Sequence, residues 1–278
     1  MGILNITPDS FSDGGRYMGA SGEVDVQGAV RRALEMVAEG VAIIDVGGES
    51  TRPGYTPVKA EEEWRRVIPV IQALRERDGR VVISVDTSKP IVADKALEAG
   101  ADIVNDVQGM RDAAMVEVVR RYRAGAVIMH DGSGGAGLLT GNTTVASGGA
   151  GLLTGTLLHA RERRSPDRHN KQDAGQETGA PGNVAVMGVV QELAERAADV
   201  ERAGVPRDCL CLDPGFGFGK RGEANWELLR GLHHLVALGY PVLVGGSRKH
   251  FIRSPEEGDA FTAEALRQGA HIIRAHTD

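Results

Sequence analysis

Residues 81–104, VVISVDTSKPIVADKALEAGADIV, contain the unit that decides the fold. An apolar run is followed by an amphipathic stretch over Pro90–Ala99, and a second apolar run begins after Gly100. Because both runs are almost continuously apolar rather than alternating, they are typical of parallel strands that are covered on both faces. Gly100 suits the end of the intervening helix, where the chain commonly turns through positive φ. This segment therefore predicts a strand, a helix and a second, parallel strand.

The same unit recurs along most of the chain. Apolar runs begin at Gly2, Ala42, Val81, Asp102, Ala126, Cys209, Val242 and His271. Helical patterns cover Val26–Glu39, Ala60–Arg77, Pro90–Ala99, Ala113–Arg123, Val189–Ala203 and Trp226–Leu238, with a short one near Thr262–Gln268. Strands that alternate with helices in this way predict a single α/β domain over residues 1–278, a TIM (β/α)8 barrel that lacks the final helix. A doubly wound open sheet is the alternative.

The bulk composition excludes several classes of partner. The chain has 38 acidic and 32 basic residues and a formal net charge of −6, which argues against a nucleic acid or an anionic membrane as partner. No apolar run approaches the roughly 18 residues of a membrane span, and no secretion signal follows Met1. Cys209 and Cys211 alternate with leucines in a predicted strand, so they cannot join in a disulfide. We therefore expect a cytoplasmic protein with two free cysteines and no zinc.

One stretch interrupts the alternation of strands and helices. Residues 131–183 are rich in Gly, Ser, Thr and charged residues, and the nonamer SGGAGLLTG occurs twice, from Ser133 and from Ser147. A loop of this length and polarity cannot bury enough apolar surface to become ordered by itself. We interpret it as a polar, low-complexity and largely disordered insertion on the surface of the barrel, after the fifth strand.

Polar side chains gather at the carboxyl ends of the predicted strands. They are Asn5, Asp45, Asp86, Asn105, Asp213, Lys249, Arg274 and His276. In a TIM barrel these ends form one mouth, where the active site lies. Any single Asp or Asn at a strand end is as well explained as a turn former or a helix cap. The recurrence of polar residues at equivalent ends indicates a site.

Glycine-bearing loops adjoin this mouth. They read TPDSFSDGG from Thr7, GGESTRPG from Gly47 and DPGFGFGK from Asp213. Their backbone N–H groups suit a phosphate or a carboxylate, and the phenylalanines suit a flat ligand. DPGFGFGK is not a P-loop, because Pro214 replaces the first glycine and Arg221 follows Lys220. GSGGAG from Gly132 matches a dinucleotide fingerprint by accident, since no acidic residue follows about 20 positions later.

Basic residues converge where the last two strands end. The tripeptide Ser247–Lys249 follows the seventh strand, and Arg274 and His276 end the eighth, which is its neighbour in a barrel. Many barrels bind phosphate at these two loops. A structural cluster of ion pairs with Asp86 and Asp213 is the alternative. A polyphosphate ligand better explains a local cationic site on an acidic protein.

Seven motifs, in order, resemble the signatures of one enzyme family. They read MGILNITPDSFSDGG, GGESTRPG, ISVDTSK, IVNDV, DPGFGFGK, VGGSRKHFI and GAHIIRAH. The chain resembles dihydropteroate synthase over residues 1–130 and about 184–278. This resemblance implies a TIM barrel that condenses 6-hydroxymethyl-7,8-dihydropterin pyrophosphate with p-aminobenzoate, the subsite that sulfonamides occupy. It also implies 7,8-dihydropteroate and pyrophosphate as products and Mg²⁺ as cofactor.

The resemblance assigns roles to particular side chains. The implied pterin contacts are Asp86, Asn105, Met129, Asp213 and Lys249. The implied pyrophosphate contacts are Asn5, Arg274 and His276, with Mg²⁺ near Asn5. The implied p-aminobenzoate contacts are Thr51, Arg52, Phe218 and Ser247. Asp86 and Lys249 are implied in catalysis, together with Asp9, which would help order the closed first loop.

Two alternatives share the same barrel. One is a catalytically impaired pterin-binding homologue, and the other is a pterin-dependent methyltransferase that uses a reduced folate. The methyltransferases resemble the barrel but lack the TPDSFSDGG and STRPG loops combined with SRK. The family commonly forms homodimers through its last helices, and the connection here is only Arg253–Gln268. A homodimer is therefore an expectation from the family alone.

Overall fold

The computed structural model describes residues 1–7, 17, 23–50, 57–132 and 181–277, with side chains in the last range from residue 185 onward. Strands and helices alternate along them in the predicted order. The strands are β1 (Gly2–Asn5), β2 (Ile43–Gly47), β3 (Val82–Asp86), β4 (Ile103–Asp106), β5 (Gly125–Met129), β6 (Leu210–Asp213), β7 (Leu243–Gly245) and β8 (Ile272–Arg274). The helices are α1 (Val26–Ala38), α2 (Ala60–Arg77), α3 (Pro90–Glu98), α4 (Ala113–Tyr122), α5 (Pro181–Arg202), α6 (Glu223–Arg230), α7 (Leu232–Val236) and α8 (Pro255–Arg267).

The strands follow one another around the fold in sequence order. β1 to β6 form one parallel sheet, and β7 and β8 form a parallel pair. Isolated parallel bridges link the two sheets, between Leu212 and Val242 on one side and between Gly2 and Ala275 on the other. The order is that of the predicted barrel, although the barrel is not closed by continuous ladders. A doubly wound sheet would reverse its strand order, which the described strands do not do.

The strand register brings the polar strand ends to one level. Asn5 is paired with Gly47, Gly47 with Asp86, and Asp86 with Asn105. Further around the fold, Met129 is paired with Asp213 and Gly245 with Arg274. The register therefore places the predicted site residues side by side at the carboxyl ends of the strands.

Two separate apolar clusters reflect the alternation of side chains along the strands. The larger cluster lies between strands and helices and includes the fully buried Ile44, Ile83 and Ile128. The smaller one contains Val127, Cys211 and Leu243, which alternate with members of the larger cluster and so occupy the opposite face of their strands. Polar groups follow on that same face toward the carboxyl ends, so the barrel interior is apolar below and polar at the mouth.

Several predicted boundaries were wrong. α8 begins seven residues before Thr262, because Ser254 caps it and Pro255 occupies its first turn; the Ser254 hydroxyl accepts from the Glu257 N–H at 3.3 Å. The helix predicted over Trp226–Leu238 is divided at Gly231 into α6 and α7. α5 begins inside the stretch interpreted as an insertion.

The cysteine prediction was half right. Cys211 is buried on β6, but Cys209 lies in a 3₁₀ turn over Arg207–Cys209 that precedes the strand. Both cysteines are free. The duplicated nonamers lie outside the described residues. None of the described helices is long and apolar enough to cross a membrane.

Candidate active site

Two adjoining cavities open at the carboxyl ends of the strands. The smaller, of about 130 Å³, is lined by residues from most of the strand ends, including Asn5, Asn105 and Arg274. The larger is a cleft of about 1330 Å³ along the loops that follow β3, β6 and β7. Asp86, Phe218 and Lys249 line both. The arrangement provides a polar inner chamber and a wider outer cleft, joined through a shared wall.

A guanidinium bridges two buried carboxylates at the base of the inner cavity. Arg274 donates from Nε to Asp45 Oδ2 and from a terminal nitrogen to Asp86 Oδ2, both at 2.6 Å. Asn105 also donates to Asp45 Oδ2, at 3.1 Å. The second oxygens of Asp45 and Asp86 are buried and have no hydrogen-bond partner among the described residues. Asp86 lines both cavities, so its unpartnered oxygen is ready to accept from a ligand, whereas Asp45 is fully buried and lines neither of them.

The charge state of Asp86 follows from this setting. Burial raises the pKa of Asp86 to about 7, against the opposing pull of the Arg274 cation, while the neighbouring Asp45 raises it further. A carboxyl group with such a pKa changes charge near neutral pH. Its state is therefore sensitive to a bound ligand that donates hydrogen bonds.

Asp213 and Lys249 also line the inner cavity. Asp213 is buried and accepts from the Gly215 N–H at 2.7 Å, and burial raises its pKa. Burial lowers the pKa of Lys249 to about 8, although the carboxylate of Asp213 counteracts the shift. The Lys249 Nζ atom lies 4.2 Å from the centre of the Phe218 ring, which is cation–π distance. The lysine thus contacts the aromatic wall between the two cavities.

Ser247 and His276 meet at the end of β7 and β8. The Ser247 hydroxyl lies 3.1 Å from His276 Nδ1. Both residues line the inner cavity with Asn5. The resemblance separates them, with Ser247 at p-aminobenzoate and His276 at pyrophosphate, whereas the structure places them in contact. The predicted pyrophosphate cation Arg274 lies deeper, on Asp45 and Asp86.

The remaining predicted residues are placed as follows. Met129 is buried beneath the loop after β6, and among the described residues it lines neither cavity. Its Cγ would lie 3.3 Å from a Cβ added to Gly215. Asp9, Thr51 and Arg52 lie outside the described residues.

Two polar clusters beside the site were not predicted. Lys89 contacts the carboxylates of Glu49 and Glu63 at the edge of the outer cleft. Lys220 contacts His130 beneath the loop that carries Phe218. Glu49, Lys89 and Lys220 belong to the motifs quoted above, so the signal was present. Their roles depend on contacts between distant loops, which motif spacing does not reveal.

Comparison with known proteins connects this geometry to one family. Residues 1–276 match the model of the family described as pterin binding enzyme. Dihydropteroate synthase of Streptococcus pyogenes is 37% identical to the chain, across 99% of the chain and 89% of that protein. A probable bifunctional folylpolyglutamate synthase/dihydropteroate synthase of Haloferax volcanii is 39% identical, across 99% of the chain and 28% of that longer protein.

Solved structures agree with the sequence relatives. Xanthomonas albilineans dihydropteroate synthase with 4-aminobenzoic acid has a TM-score of 0.74 and 36% identity, covering 99% of the chain and 86% of that structure. A Coxiella burnetii dihydropteroate synthase with pteroic acid has a TM-score of 0.74 and 30% identity, covering 100% of the chain and 86% of that structure. These relatives are TIM barrels, which confirms the predicted fold. The chain therefore belongs to the pterin-binding enzyme family and, within it, to the dihydropteroate synthases.

Proposed function

We propose that the chain condenses 6-hydroxymethyl-7,8-dihydropterin pyrophosphate with p-aminobenzoate to give 7,8-dihydropteroate and pyrophosphate. The observation that carries the proposal is the unpartnered, buried oxygen of Asp86 in the wall of the inner cavity, beside the Arg274 cation. A flat heterocycle with amino and ring N–H donors satisfies such acceptors. Separate structures of the Xanthomonas albilineans relative hold 4-aminobenzoic acid and 7,8-dihydropteroate.

The pterin is proposed to lie in the inner cavity. Asp86 and Asp213 would accept from its donors, Asn105 would contact its edge, and Lys249 would donate to its acceptors. Lys249 would also stay beside Phe218, which it already contacts. Because each group is held by the barrel ends before the ligand arrives, little ordering would remain to be done on binding.

The pyrophosphate is proposed to face Asn5, His276 and the exposed part of Arg274. The side chain of Arg274 is 20% exposed although two of its nitrogens contact carboxylates. Mg²⁺ remains a proposal near Asn5, whose amide oxygen suits a hard cation that keeps several waters. Among the described residues no group of three His, Cys, Asp or Glu side chains gathers to hold an ion. When bound, the ion would stabilise the charge of the leaving pyrophosphate.

The chemistry requires no nucleophile from the protein. The amine of p-aminobenzoate forms a C–N bond at the exocyclic methylene of the pterin while the C–O bond to pyrophosphate breaks, and the amine releases a proton. The carboxylates of the inner cavity would favour positive charge developing on the pterin. Phe218 and Ser247 would border p-aminobenzoate, as would Thr51 and Arg52, which lie outside the described residues.

A turnover assay tests this function. Purified protein with the pterin pyrophosphate, p-aminobenzoate and Mg²⁺ should release one pyrophosphate for each dihydropteroate formed. Binding of both substrates without pyrophosphate release would identify the impaired homologue. Methyl transfer from a reduced folate to a corrinoid acceptor would identify a methyltransferase.

Location and assembly are further proposals. We propose a cytoplasmic enzyme whose partners are its small-molecule substrates. The family expectation of a homodimer is tested by light scattering of the purified chain. A mass equal to one chain at micromolar concentration would reject the dimer.

A further inference from the structure

Lys220 has an unusual number of contacts for a lysine in a surface loop. Its Nζ atom lies 2.9 Å from His130 Nδ1, 2.9 Å from the Phe218 carbonyl oxygen and 3.0 Å from the Gly215 carbonyl oxygen. The His130 carbonyl oxygen is 3.4 Å away. An ammonium group has three N–H donors, so all of them are used within the protein. The lysine therefore contacts both the end of β5 and the loop after β6.

These two segments are packed backbone against backbone. A Cβ atom added to Gly215 would lie 2.0 Å from the His130 carbonyl oxygen, and one added to Gly219 would lie 2.8 Å from Gly132 Cα. Both glycines have positive φ, which an L side chain rarely adopts. The His130 N–H also donates to the Asp213 carbonyl at 2.9 Å. Lys220 thus spans a junction where no side chain fits.

The histidine beneath Lys220 is fixed in one tautomer by its neighbours. Because Lys220 donates to Nδ1, that nitrogen must be unprotonated, and the proton lies on Nε2. Nε2 is 3.3 Å from Glu192 on α5, and Glu192 in turn accepts from Arg111 at 2.7 Å. Burial lowers the pKa of His130, and the Lys220 cation lowers it further. The contact between Lys220 and His130 is therefore between a cation and a neutral ring.

The loop that Lys220 holds carries the aromatic wall of the site. Phe218 accepts from Lys220 through its carbonyl, and its ring stacks against Lys249. The N–H of Gly217, which precedes Phe218, donates to the side chain of the buried Asn225 at 2.8 Å. We propose that Lys220 is a positioning residue that clamps the 215–219 loop to the end of β5 and thereby sets Phe218 as the wall of the p-aminobenzoate subsite. This inference rests on the proposed function.

The clamp should depend on pH. Burial lowers the pKa of Lys220 to about 8, and the carboxylates of Asp213, Asp131 and Glu192 oppose this shift while Lys249 reinforces it. Above that pH the folded protein loses the third N–H donor, whereas an unfolded lysine keeps its charge to about pH 10.4. For this group alone, global stability increases with pH through that window. Deprotonation of Lys220 therefore does not unfold the protein, and a loss of p-aminobenzoate binding above pH 8 has to come from a local change.

The experiment compares four forms of the full chain from pH 6.5 to 9.5, with the pterin pyrophosphate saturating. In the wild type, KM for p-aminobenzoate should rise above about pH 8. In Lys220→Met it should be raised ~tenfold at every pH, with kcat within ~twofold, because only the placement of one wall has changed. In Lys220→Arg it should stay low and flat, since a guanidinium does not titrate in this range. Lys95→Met, on the outer helix α3, is the matched control.

Hydrogen exchange supplies a readout that does not depend on turnover. The amides of the 215–219 loop should exchange faster in Lys220→Met. Exchange in the strands should be unchanged, and the melting temperature should stay close to that of the wild type. Unchanged KM for p-aminobenzoate in folded Lys220→Met would overturn the clamp. A pH dependence that persists in Lys220→Arg would assign it to Lys249 and overturn the role of Lys220 titration. A wild type without turnover rejects the proposed function instead, and the exchange data then still decide whether the loop is clamped.

Discussion

Arg274 is the residue on which the inner cavity depends most. It holds two carboxylates that are otherwise buried together, Asp45 and Asp86. In Arg274→Met these carboxylates would lose their shared cation, so the free energy of unfolding should fall by about 3–5 kcal/mol. Binding of the pterin should be lost as well. Urea unfolding checks the first effect and calorimetric titration with 6-hydroxymethyl-7,8-dihydropterin the second.

The control for this change is Arg267→Met. Arg267 is exposed on α8, and within the described part of the chain its ion pair is with Glu264 on the same helix. Removing an exposed pair of this kind should change stability by less than about 1 kcal/mol. Equal losses in the two variants would contradict a special role for Arg274.

Lys249 and Arg52 separate the two substrates. Lys249 lies in the inner cavity, so Lys249→Ala should lower kcat/KM for the pterin pyrophosphate by about 100-fold. Arg52 is assigned to p-aminobenzoate by its motif, so Arg52→Ala should mainly raise KM for that substrate. Steady-state kinetics with each substrate varied in turn measures both. If both variants kept the wild-type kcat/KM for the pterin pyrophosphate and the wild-type KM for p-aminobenzoate, the proposed site would be wrong.

Two pKa values predict how pterin affinity depends on pH. Below about pH 7 Asp86 is protonated and loses an acceptor, and above about pH 8 Lys249 is neutral and loses a donor. Affinity for 6-hydroxymethyl-7,8-dihydropterin should therefore be highest between these values. Asp86→Asn should flatten the acidic side, and Lys249→Met the alkaline side. A dissociation constant that does not change from pH 6 to 9 would reject both assignments.

For single residues, the sequence predicted which side chains lie at the site better than it predicted which side chains contact one another. Asp86, Asn105, Asp213 and Lys249 lie at the mouth because strand ends can be located from apolar runs. The pairing of Arg274 with Asp45 and Asp86 joins β8 to β2 and β3, and no local pattern encodes a contact across 229 and 188 residues. The structure therefore unites two interpretations that the sequence kept apart, since Arg274 is both part of an ion-pair cluster and part of the cavity.

Among the elements, the loop after β2 has a visible tether. Glu49 accepts from the Val58 N–H at 3.0 Å, so one carboxylate joins the two ends of the segment that contains Thr51 and Arg52. The other oxygen of Glu49 contacts Lys89, which also contacts Glu63 on α2. Burial raises the pKa of Glu63, and Lys89 opposes the rise. Lys89 is therefore the cation that stabilises the two neighbouring carboxylates of Glu49 and Glu63.

Removal of that cation gives a pH-dependent loss of stability. Lys89→Met should lower the free energy of unfolding by about 3 kcal/mol at pH 8, because the buried Glu63 carboxylate loses its cation. The pKa of Glu63, which burial already raises, would then lose the opposing effect of Lys89, so stability should recover as the pH falls toward 5. Chemical unfolding at both pH values measures this. Lys59→Met, an exposed lysine just before α2, should show no such recovery.

Helix boundaries show which local signals were readable. α2 was predicted from Ala60 to Arg77 and has those ends, because charge and apolar periodicity change together there. The start of α8 was missed although Ser254 and Pro255 form a capping signal, since the apolar periodicity near it is weak. At Gly231, where the predicted helix is divided, an added Cβ would lie 2.6 Å from the Val186 side chain, so a larger residue does not fit there. That contact comes from α5, and no property of the local sequence predicts it.

For the whole molecule, the order of the strands was predictable from the sequence. The two seams, where the six-stranded sheet meets the β7–β8 pair, were not. Eight apolar runs give the order of strands, but only hydrogen-bond geometry reveals that β6 meets β7, and β8 meets β1, through single bridges. Arg274, Met1 and Ala275 all lie at the second seam, where the Met1 ammonium donates to the Ile273 carbonyl at 2.8 Å. The cavity is therefore built across the less regular part of the barrel.

The segment between β5 and α5 can be tested for its part in the fold. α5 is held by its own contacts, since Val186, Leu193 and Ala197 are buried in the larger apolar cluster and Glu192 contacts Arg111. Replacement of residues 134–179 by about twelve Gly and Ser residues, which can span up to ~40 Å, should therefore preserve cooperative unfolding. A shorter loop costs less entropy to close, so stability should rise by about 1 kcal/mol. Calorimetry and turnover should be measured on the same preparation: loss of the cooperative transition would make this segment part of the fold, and loss of turnover alone would make it part of the site.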